Sequence, residues 1–451
     1  MQPPDSNGPS TSDQGQPSDA ERPAEATASP PDRDSRTARD AQVQVIMEAL
    51  GNSVERGPET WARTGVEYLF RKDVLLVRQE HAAQVRRLLR AEGMLWQDGD
   101  PAMPENTPRD GSLAYGYRAI HLRPGTTFQA LAVVRDGTDR VPGFGDDVVT
   151  VDYLFHISGN GGICPADEPE PIPPGTPPDP PPSADRAAGT GIRVVVVDTG
   201  LDPQAPATHW WLREVDGDDD PLVATNPLQT YAGHGTFIAG VVRSMAPRAE
   251  VIVRHAFSKV GAQFETVLVR ALDRVLFEDR PDVICMSAGT RAMDVFGPRV
   301  LNWFYETRFR RYKGVVFVVA AGNDSGRTHF WPAAAPWTVS VGALAVDWRS
   351  RADFTNFGSW VDVYAPGERL INAFPTGRYE YKEPERQGQS ADFDGMASWS
   401  GTSFSTPLVA GLIAARMSAT GENGPDAASA LLAQARAAAQ PGVGAVLLPE
   451  P

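Results

Sequence analysis

The sequence predicts an α/β fold, a parallel sheet with helices on both faces, preceded by a small α+β domain. The first observation is a series of apolar, β-branched runs in the second half of the chain, such as IRVVVVDTG and GVVFVVAAGND. The second is that helical patterns such as FETVLVRALDRVLFE alternate with these runs, as in βαβ units. The third is a proline-dense stretch that divides the chain in two.

The chain before this stretch divides into a polar tail and a compact unit. Residues 1–39 are rich in Pro, Ser, Asp and Thr, and we expect them to be disordered because they cannot bury enough apolar surface. Residues 40–164 begin with a helical pattern, DAQVQVIMEAL, and continue with alternating strand-like and helix-like segments. The order strand, helix, strand, helix, strand predicts a small α+β sandwich.

The proline-dense stretch, residues 165–188, contains PEPIPPGTPPDPPPS, which predicts a stiff, solvated linker. Residues 189–440 then carry the alternating strands and helices of the predicted parallel sheet, and we expect residues 441–451 to form a tail. In a sheet of this kind, binding sites form where strands end and loops begin.

Composition and charge exclude several classes of function. The net charge of -15 over 451 residues argues against a protein that binds nucleic acid by neutralising phosphates. No apolar run reaches the ~20 residues that span a bilayer, and the first residues lack the pattern of a secretory signal. We therefore expect a cytoplasmic protein without membrane contact, with leaderless secretion as the alternative. The two cysteines, Cys164 and Cys285, predict neither a disulfide framework nor a metal site.

Four polar residues stand at predicted strand ends or helix starts. Asp198 follows the buried run VVVVD, where a carboxylate can orient an imidazole, although Asp-Thr-Gly also forms ordinary turns. His234 lies between glycines in AGHGTFIAGVV and suits a general base, or it is a bystander in a helix-entry turn. Ser403 in SGTSFSTPLVAGL is either a nucleophile at a helix N-terminus or part of a helix cap. Asn323 in VVAAGND can donate to an oxyanion, or it is a turn asparagine.

The motifs DTG, HGT, AAGN and GTSFSTP, in this order, resemble those of the subtilisin-like serine peptidases, the subtilases, over about residues 189–420. The resemblance implies a subtilisin-like fold and a serine endopeptidase that acts on polypeptides without a cofactor or metal. Ser403 would attack the carbonyl carbon, His234 would accept and return its proton, and Asp198 would orient His234. Asn323 and the Ser403 amide would stabilise the oxyanion.

The resemblance also implies a substrate cleft. Two segments of small residues would form the walls of its main side-chain pocket: Ser287, Ala288 and Gly289 on one side, and Ala320, Ala321 and Gly322 on the other. The first segment would also pair with an extended substrate as a strand. The pocket preference stays open, because Phe330 near its floor favours small or medium side chains, whereas Asp324 at its rim favours basic ones.

Some features depart from the family pattern or leave alternatives. Phe237 replaces a histidine that often follows HGT, and we expect no effect on the chemistry. The sequence runs from Met245 directly into Ala246, so the calcium loop of many secreted members is expected to be missing. The acidic run DGDDDP, residues 216–221, predicts a solvated loop rather than a cation site.

The role of the first domain is open. Residues 40–164 match in size and element order a prodomain that blocks the site until it is cleaved, or they form a retained adaptor domain. A prodomain of this kind is expected to dock on the peptidase domain. For the whole protein, the rival class is a catalytically silent scaffold with the same fold.

Overall fold

The computed structural model describes residues 43–57, 68–96, 113–136, 148–157, 167–293, 295–382 and 386–449. The predictions for the N-terminal tail and for Cys164 lie outside these residues. Within them, no helix is both long and apolar enough to cross a membrane.

The first domain is an antiparallel sheet with helices packed against it. Its elements are a helix that includes residues 43–50 (α1), β1 (Val54–Gly57), β2 (Tyr68–Arg78), α2 (Ala82–Ala91), β3 (Leu113–Ala114), β4 (Tyr117–His121), α3 (Thr127–Asp136) and β5 (Val149–His156). The long strand β2 pairs with β1, β4 and β5. Helix α2 buries Val85 and Leu89 against this sheet because the two residues lie on one helical face. This arrangement is the α+β domain that the sequence predicts.

The second part of the chain begins with short strands and continues with βα units. Its first elements are β6 (Glu170–Pro171), β7 (Arg193–Asp198), α4 (Ala205–Thr208), β8 (Asp216–Gly217), α5 (His234–Met245), β9 (Glu250–His255), β10 (Ala262–Phe264), α6 (Glu265–Arg274), β11 (Val283–Met286) and α7 (Arg299–Thr307). Its remaining elements are β12 (Val316–Ala320), β13 (Val339–Leu344), β14 (Val363–Pro366), β15 (Leu370–Ala373), β16 (Gly377–Glu380), β17 (Ser390–Phe393), β18 (Met396–Trp399), α8 (Thr402–Thr420) and α9 (Gly424–Ala437).

The core of this part is a parallel sheet with the strand order β14-β13-β12-β11-β7-β9-β8 among the described residues. Every residue of β12 and β13 is buried. Because successive side chains of a strand point to opposite faces, both faces of the sheet are covered. Helices α5 and α8 pack against each other and against the sheet. The predicted α/β fold class is confirmed.

The proline-rich segment contacts the second part of the chain rather than lying free in solvent. Strand β6 pairs antiparallel with β18, and Asp179 exchanges backbone hydrogen bonds with Ile371. Glu168 is 2% exposed, and its carboxylate accepts from the Tyr379 hydroxyl and the Lys382 amide. The segment differs from the solvated linker that its composition predicts, because prolines allow an edge strand and its polar groups find partners here.

The end of the chain also adds to the sheet edge. The Tyr364 amide donates to the Ala445 carbonyl, and the Leu447 amide donates to the Tyr364 carbonyl. Residues 445–447 therefore extend the sheet beside β14, beyond the domain boundary at residue 440 that the sequence suggests.

Candidate active site

Asp198 and His234 meet at the carboxyl edge of the parallel sheet. Asp198 ends β7 and His234 begins α5, after a left-handed turn at Gly233 with a φ of 76°. The His234 Nδ1 atom lies 2.8 Å from the Asp198 Oδ1 atom, and both side chains are 0% exposed. The same oxygen accepts from the Thr199 amide at 2.8 Å. The carboxylate holds Nδ1, which leaves Nε2 as the imidazole atom that can exchange a proton with a ligand.

Aromatic rings fix the orientation of the imidazole. The His234 ring centroid lies 5.5 Å from that of Trp399 and 5.4 Å from that of Phe404. Phe237, in the place of the second histidine, packs against Phe404 at 4.5 Å. This packing limits rotation of the ring away from Asp198.

Ser403 is the second residue of the long helix α8. Pro407 lies four residues later and has no N–H, so the helix cannot use the Ser403 carbonyl as a hydrogen-bond acceptor. The Ser287 hydroxyl donates to this carbonyl instead, at 2.9 Å. One wall segment of the predicted cleft is therefore tied directly to Ser403, the predicted nucleophile.

The Ser403 Oγ and the His234 Nε2 are both buried, and neither has a hydrogen-bond partner in the part of the chain that the structure describes. The structure thus brings Asp198 and His234 into a hydrogen bond, and it leaves the His234 and Ser403 atoms unjoined. Bonds of this kind are often long without a substrate and shorten when one binds. Both atoms keep the capacity that a proton transfer between them requires.

Asn323 is oriented by the start of α8. Its Oδ1 atom accepts from the amide and the hydroxyl of Thr402, each at 2.9 Å. Because the oxygen is used in this way, the Nδ2 group is the part of the amide available to a ligand. The Ser403 amide lies among the first four amides of α8, which have no acceptor within the helix. Two donors of different origin therefore stand beside the same helix start.

The two predicted wall segments follow neighbouring strands. The segment Ser287–Gly289 comes after β11 and Ala320–Gly322 ends and follows β12, and these two strands pair in parallel. The Gly322 amide donates to the Thr402 hydroxyl at 3.1 Å. All ten predicted site residues lie at the carboxyl ends of β7, β11 and β12 or at the starts of α5 and α8.

Asp220 is a buried carboxylate that sequence reasoning missed. One oxygen accepts from the Thr199 hydroxyl at 3.0 Å and the Gly233 amide at 2.9 Å, and the other accepts from the Leu222 amide. It thus joins the residue after Asp198 to the residue before His234. Burial raises its pKa to about 6, while these bonds oppose the rise. The acidic run was expected to be solvated, and no local signal separates Asp220 from its exposed neighbours.

Asp167 is the second carboxylate that the sequence did not reveal. It accepts from the amide and the hydroxyl of Ser400, and its carbonyl accepts from the Trp399 indole. Burial raises its pKa to about 7, and the two bonds from Ser400 oppose this rise. The segment after the first domain therefore supports the strand end that leads into Ser403.

Other titratable groups of the described ranges do not form a metal site. No group of three or more His, Cys, Asp or Glu side chains there is placed to hold a metal ion. Cys285 is buried in β11, and burial raises the pKa of its thiol well above the usual value. A thiol of this kind is a packing residue rather than a nucleophile.

A family model described as the subtilase family matches residues 189–445. The chain belongs to the subtilase family. This subtilase is 30% identical over 251 residues to the thermophilic serine proteinase of Bacillus sp. (strain AK1). The alignment covers 52% of this chain and 54% of that protein. It is 28% identical over 249 residues to the intracellular serine protease of Paenibacillus polymyxa. This alignment covers 51% of this chain and 67% of that protein.

The subtilase therefore spans between 54% and 67% of the length of these two relatives. Among solved structures, a cold adapted subtilisin-like serine proteinase aligns with 58% of this chain and 90% of that chain, at 23% identity and a TM-score of 0.44.

Proposed function

We propose that this subtilase is a serine endopeptidase that hydrolyses peptide bonds through Asp198, His234 and Ser403. The observation that carries the proposal is the 2.8 Å contact between His234 Nδ1 and Asp198 Oδ1 in a fully buried setting. An imidazole held in this way has one defined tautomer, and its Nε2 atom can serve as a general base. A catalytically silent scaffold would have no need for this arrangement.

The reaction proceeds in two halves. The Ser403 Oγ attacks the peptide carbonyl carbon while the His234 Nε2 accepts the hydroxyl proton, and Asp198 stabilises the imidazolium that forms. His234 then gives the proton to the leaving amine, and an ester joins the acyl group to Ser403. Water, deprotonated by His234, attacks this ester, and the proton returns to Ser403 as the acid leaves.

Two donors act on the oxygen that becomes negative. The Asn323 Nδ2 group and the Ser403 amide both lie at the start of α8, where the positive end of the helix dipole adds to their effect. Thr402 fixes the Asn323 amide before the substrate arrives, so little reorganisation is needed during the reaction.

Hydrolysis of fluorescently labelled casein tests this function. We expect Ser403→Ala to lower the rate by at least about a thousandfold. Ser405→Ala is the matched control, because Ser405 lies two residues further along the same helix and is also buried. The silent-scaffold alternative gains support if the wild-type protein shows no hydrolysis after its first domain has been cut off. Equal rates in the wild-type protein and both alanine variants would exclude Ser403 as the nucleophile.

We also propose that the first domain, residues 40–164, is an inhibitory prodomain rather than an adaptor. In support of this, β5 pairs antiparallel with β10, and His156 exchanges two hydrogen bonds with Gly289. The Ile157 amide donates to the Gly261 carbonyl at 3.0 Å. The end of β5 thus lies between β10 and the edge where the resemblance places a substrate strand. A chain segment in this position excludes a substrate from the same edge.

A second set of contacts anchors the first domain to helix α6. The Asp152 carboxylate accepts from the Thr266 amide at 3.0 Å and the Thr266 hydroxyl at 2.9 Å. Thr266 is in the first turn of α6, where a negative charge is favoured by the helix dipole. Arg71 pairs with the same carboxylate at 2.8 Å and lies over the Phe264 ring of β10. These bonds favour a docked domain over one that is tethered by a free linker.

Mass spectrometry of the full-length protein separates prodomain from adaptor. A prodomain predicts a cut between residues 157 and 167 that appears on incubation and is absent in Ser403→Ala. A retained adaptor predicts an intact chain that hydrolyses casein at full rate. A rate of casein hydrolysis that rises in proportion to the fraction of cleaved protein would favour inhibition by the first domain.

Polypeptides are the substrates that we propose, and we propose no role for nucleic acid or a membrane. The net charge of -15 supports this, because it opposes binding to phosphate groups. A cytoplasmic location stays a prediction.

A further inference from the structure

The two wall segments that the resemblance implies lie directly beside Ser403. The Ser287 hydroxyl bonds to the Ser403 carbonyl, and the Gly322 amide bonds to the Thr402 hydroxyl. The two segments follow paired strands, so a gap opens between them where the strands end. The substrate side chain next to the scissile carbonyl has to enter this gap.

Phe330 fills the gap. A Cβ atom placed on Gly289 would overlap the Phe330 Cε1 atom and lie 2.7 Å from Cζ. A Cβ atom placed on Gly322 would lie 2.9 Å from Cδ1 and 3.1 Å from Cγ of the same ring. One phenyl ring therefore touches both walls at once, and Phe330 is only 1% exposed.

The ring is held in this position by its neighbours. Trp331, the next residue, exchanges two backbone hydrogen bonds with Thr290, the residue after Gly289. The Ala334 amide donates to the Phe330 carbonyl at 2.9 Å. These bonds fix the backbone that carries the ring, and the ring itself packs against both walls, so a large substrate side chain would have to turn the ring out of this packed position.

Asp324 does not provide a free charge for a basic side chain. Its Oδ2 atom lies 3.1 Å from an Arg291 guanidinium nitrogen, and the two side chains are 2% and 8% exposed. The Asn356 amide bonds to the same oxygen. The other oxygen, Oδ1, is buried without a hydrogen-bond partner among the described residues. A substrate with lysine therefore tests whether Asp324 can still attract a basic side chain.

We propose that Phe330 determines specificity by closing this pocket, so that the subtilase cleaves after small residues: glycine, alanine and serine. The inference rests on the proposed peptidase function and adds the substrate class. It resolves the two opposing hints of the sequence, because the ring occupies the gap and the Asp324 charge is paired.

Tetrapeptide p-nitroanilides with alanine, serine, valine, leucine, phenylalanine or lysine before the scissile bond test the proposal. We expect the wild-type kcat/KM for alanine to exceed that for phenylalanine and lysine by about 100-fold. Phe330→Gly should raise kcat/KM for leucine and phenylalanine by at least about tenfold and leave alanine within about threefold. A wild-type preference for leucine, phenylalanine or lysine would overturn the proposal, as would an unchanged preference in Phe330→Gly.

Two further measurements keep the proposal testable. Phe309→Ala removes a buried ring that packs against Phe317 and Trp337, and it should keep the wild-type preference. If Phe330→Gly fails to fold, the cleavage sites of the wild-type protein in unfolded casein test the specificity instead. We expect these sites to follow glycine, alanine or serine. Reaction of Ser403 with a fluorophosphonate distinguishes a failure of the proposed specificity from a failure of the proposed peptidase function. A labelled protein that cleaves after large residues overturns only the specificity. A protein whose first domain has been cut and that is still unlabelled and inactive overturns the peptidase function and this inference with it.

Discussion

The carboxylate of Asp167 accepts two hydrogen bonds from Ser400, at 3.0 Å from its amide and at 2.7 Å from its hydroxyl. Ser400 stands three residues before Ser403, and its hydroxyl also accepts from the Arg369 amide. A residue from the proline-rich segment thus fixes the backbone that leads into Ser403. A peptidase unit that is separated from the first domain should therefore begin no later than Asp167.

We expect Asp167→Asn to flatten the pH dependence of stability. The usual pKa of an aspartate is 3.8, whereas the pKa of the buried Asp167 is about 7. Between these values the folded protein holds a proton that the unfolded chain has released. The free energy of unfolding therefore falls as the pH rises, by up to about 1.4 kcal/mol per pH unit from this group. Asparagine removes the titration and can still bond to Ser400.

Urea unfolding at about pH 5 and about pH 7 measures this fall, in a Ser403→Ala background that prevents self-digestion. Asp185→Asn is the control, because Asp185 is an exposed aspartate of the same segment. The control should keep the wild-type fall. Equal falls in Asp167→Asn and in the parent protein would contradict the assignment.

Asn323 can be tested for its two functions separately. Asn323→Asp keeps an oxygen that accepts from Thr402 but loses the donor, so we expect kcat to fall by about 100- to 1000-fold with KM nearly unchanged. Asn323→Ala should lower kcat similarly and also lower the free energy of unfolding by about 1–3 kcal/mol, because the Thr402 donors lose their acceptor. Steady-state kinetics and urea unfolding measure both. A kcat within about tenfold of wild type in Asn323→Asp would exclude the oxyanion role.

Asp220 should support both the fold and the catalytic geometry. Asp220→Ala leaves the Thr199 hydroxyl and the amides of Gly233 and Leu222 without their acceptor, and we expect the free energy of unfolding to fall by about 3 kcal/mol. Because Thr199 and Gly233 adjoin Asp198 and His234, kcat should fall by at least about tenfold. Asp219→Ala, at the exposed neighbour, should change neither quantity. The same small effect in both variants would make Asp220 an ordinary loop residue.

Asp152 should set how tightly the first domain is held. Asp152→Ala removes the bonds to Thr266 and the pair with Arg71, and charge-assisted bonds of this kind change affinity by about tenfold or more. We expect the full-length variant to gain casein hydrolysis at least about tenfold faster than wild type during incubation. Asp152→Asn, which keeps one acceptor, should be intermediate. Identical time courses for the three proteins would show that the Asp152 carboxylate does not control release of the first domain.

The sequence predicts the residues whose signals are local. Asp198 follows a β-branched run, and His234 follows a glycine and opens a helix. Asn323 follows Gly322 at a strand end, and Ser403 lies two residues after Gly401 at a helix start. Because parallel strands end at one edge of a sheet, such residues come together once the strand order is formed. The α/β fold class and the bounds of the longer strands follow from the same local patterns.

The contacts that support the site could not be predicted in this way. Asp167 lies 233 residues before Ser400, and the composition of its segment indicates only an extended chain. Strand β10 has three residues, too few for a periodic pattern, although it pairs with β5 of the first domain. The position of Phe330 between Gly289 and Gly322 depends on three separate segments, so only an approximate register was available from the sequence.

The most direct test of the central claim is covalent labelling by a fluorophosphonate, followed by peptide mapping. The full-length protein is treated after incubation and, if it is still intact, after an added protease has cut between residues 157 and 167. We expect one adduct, on Ser403, which His234→Ala reduces by at least about a thousandfold and Ser405→Ala does not change. A cleaved protein that keeps its native unfolding transition and carries no adduct, or carries it on another residue, would contradict the account.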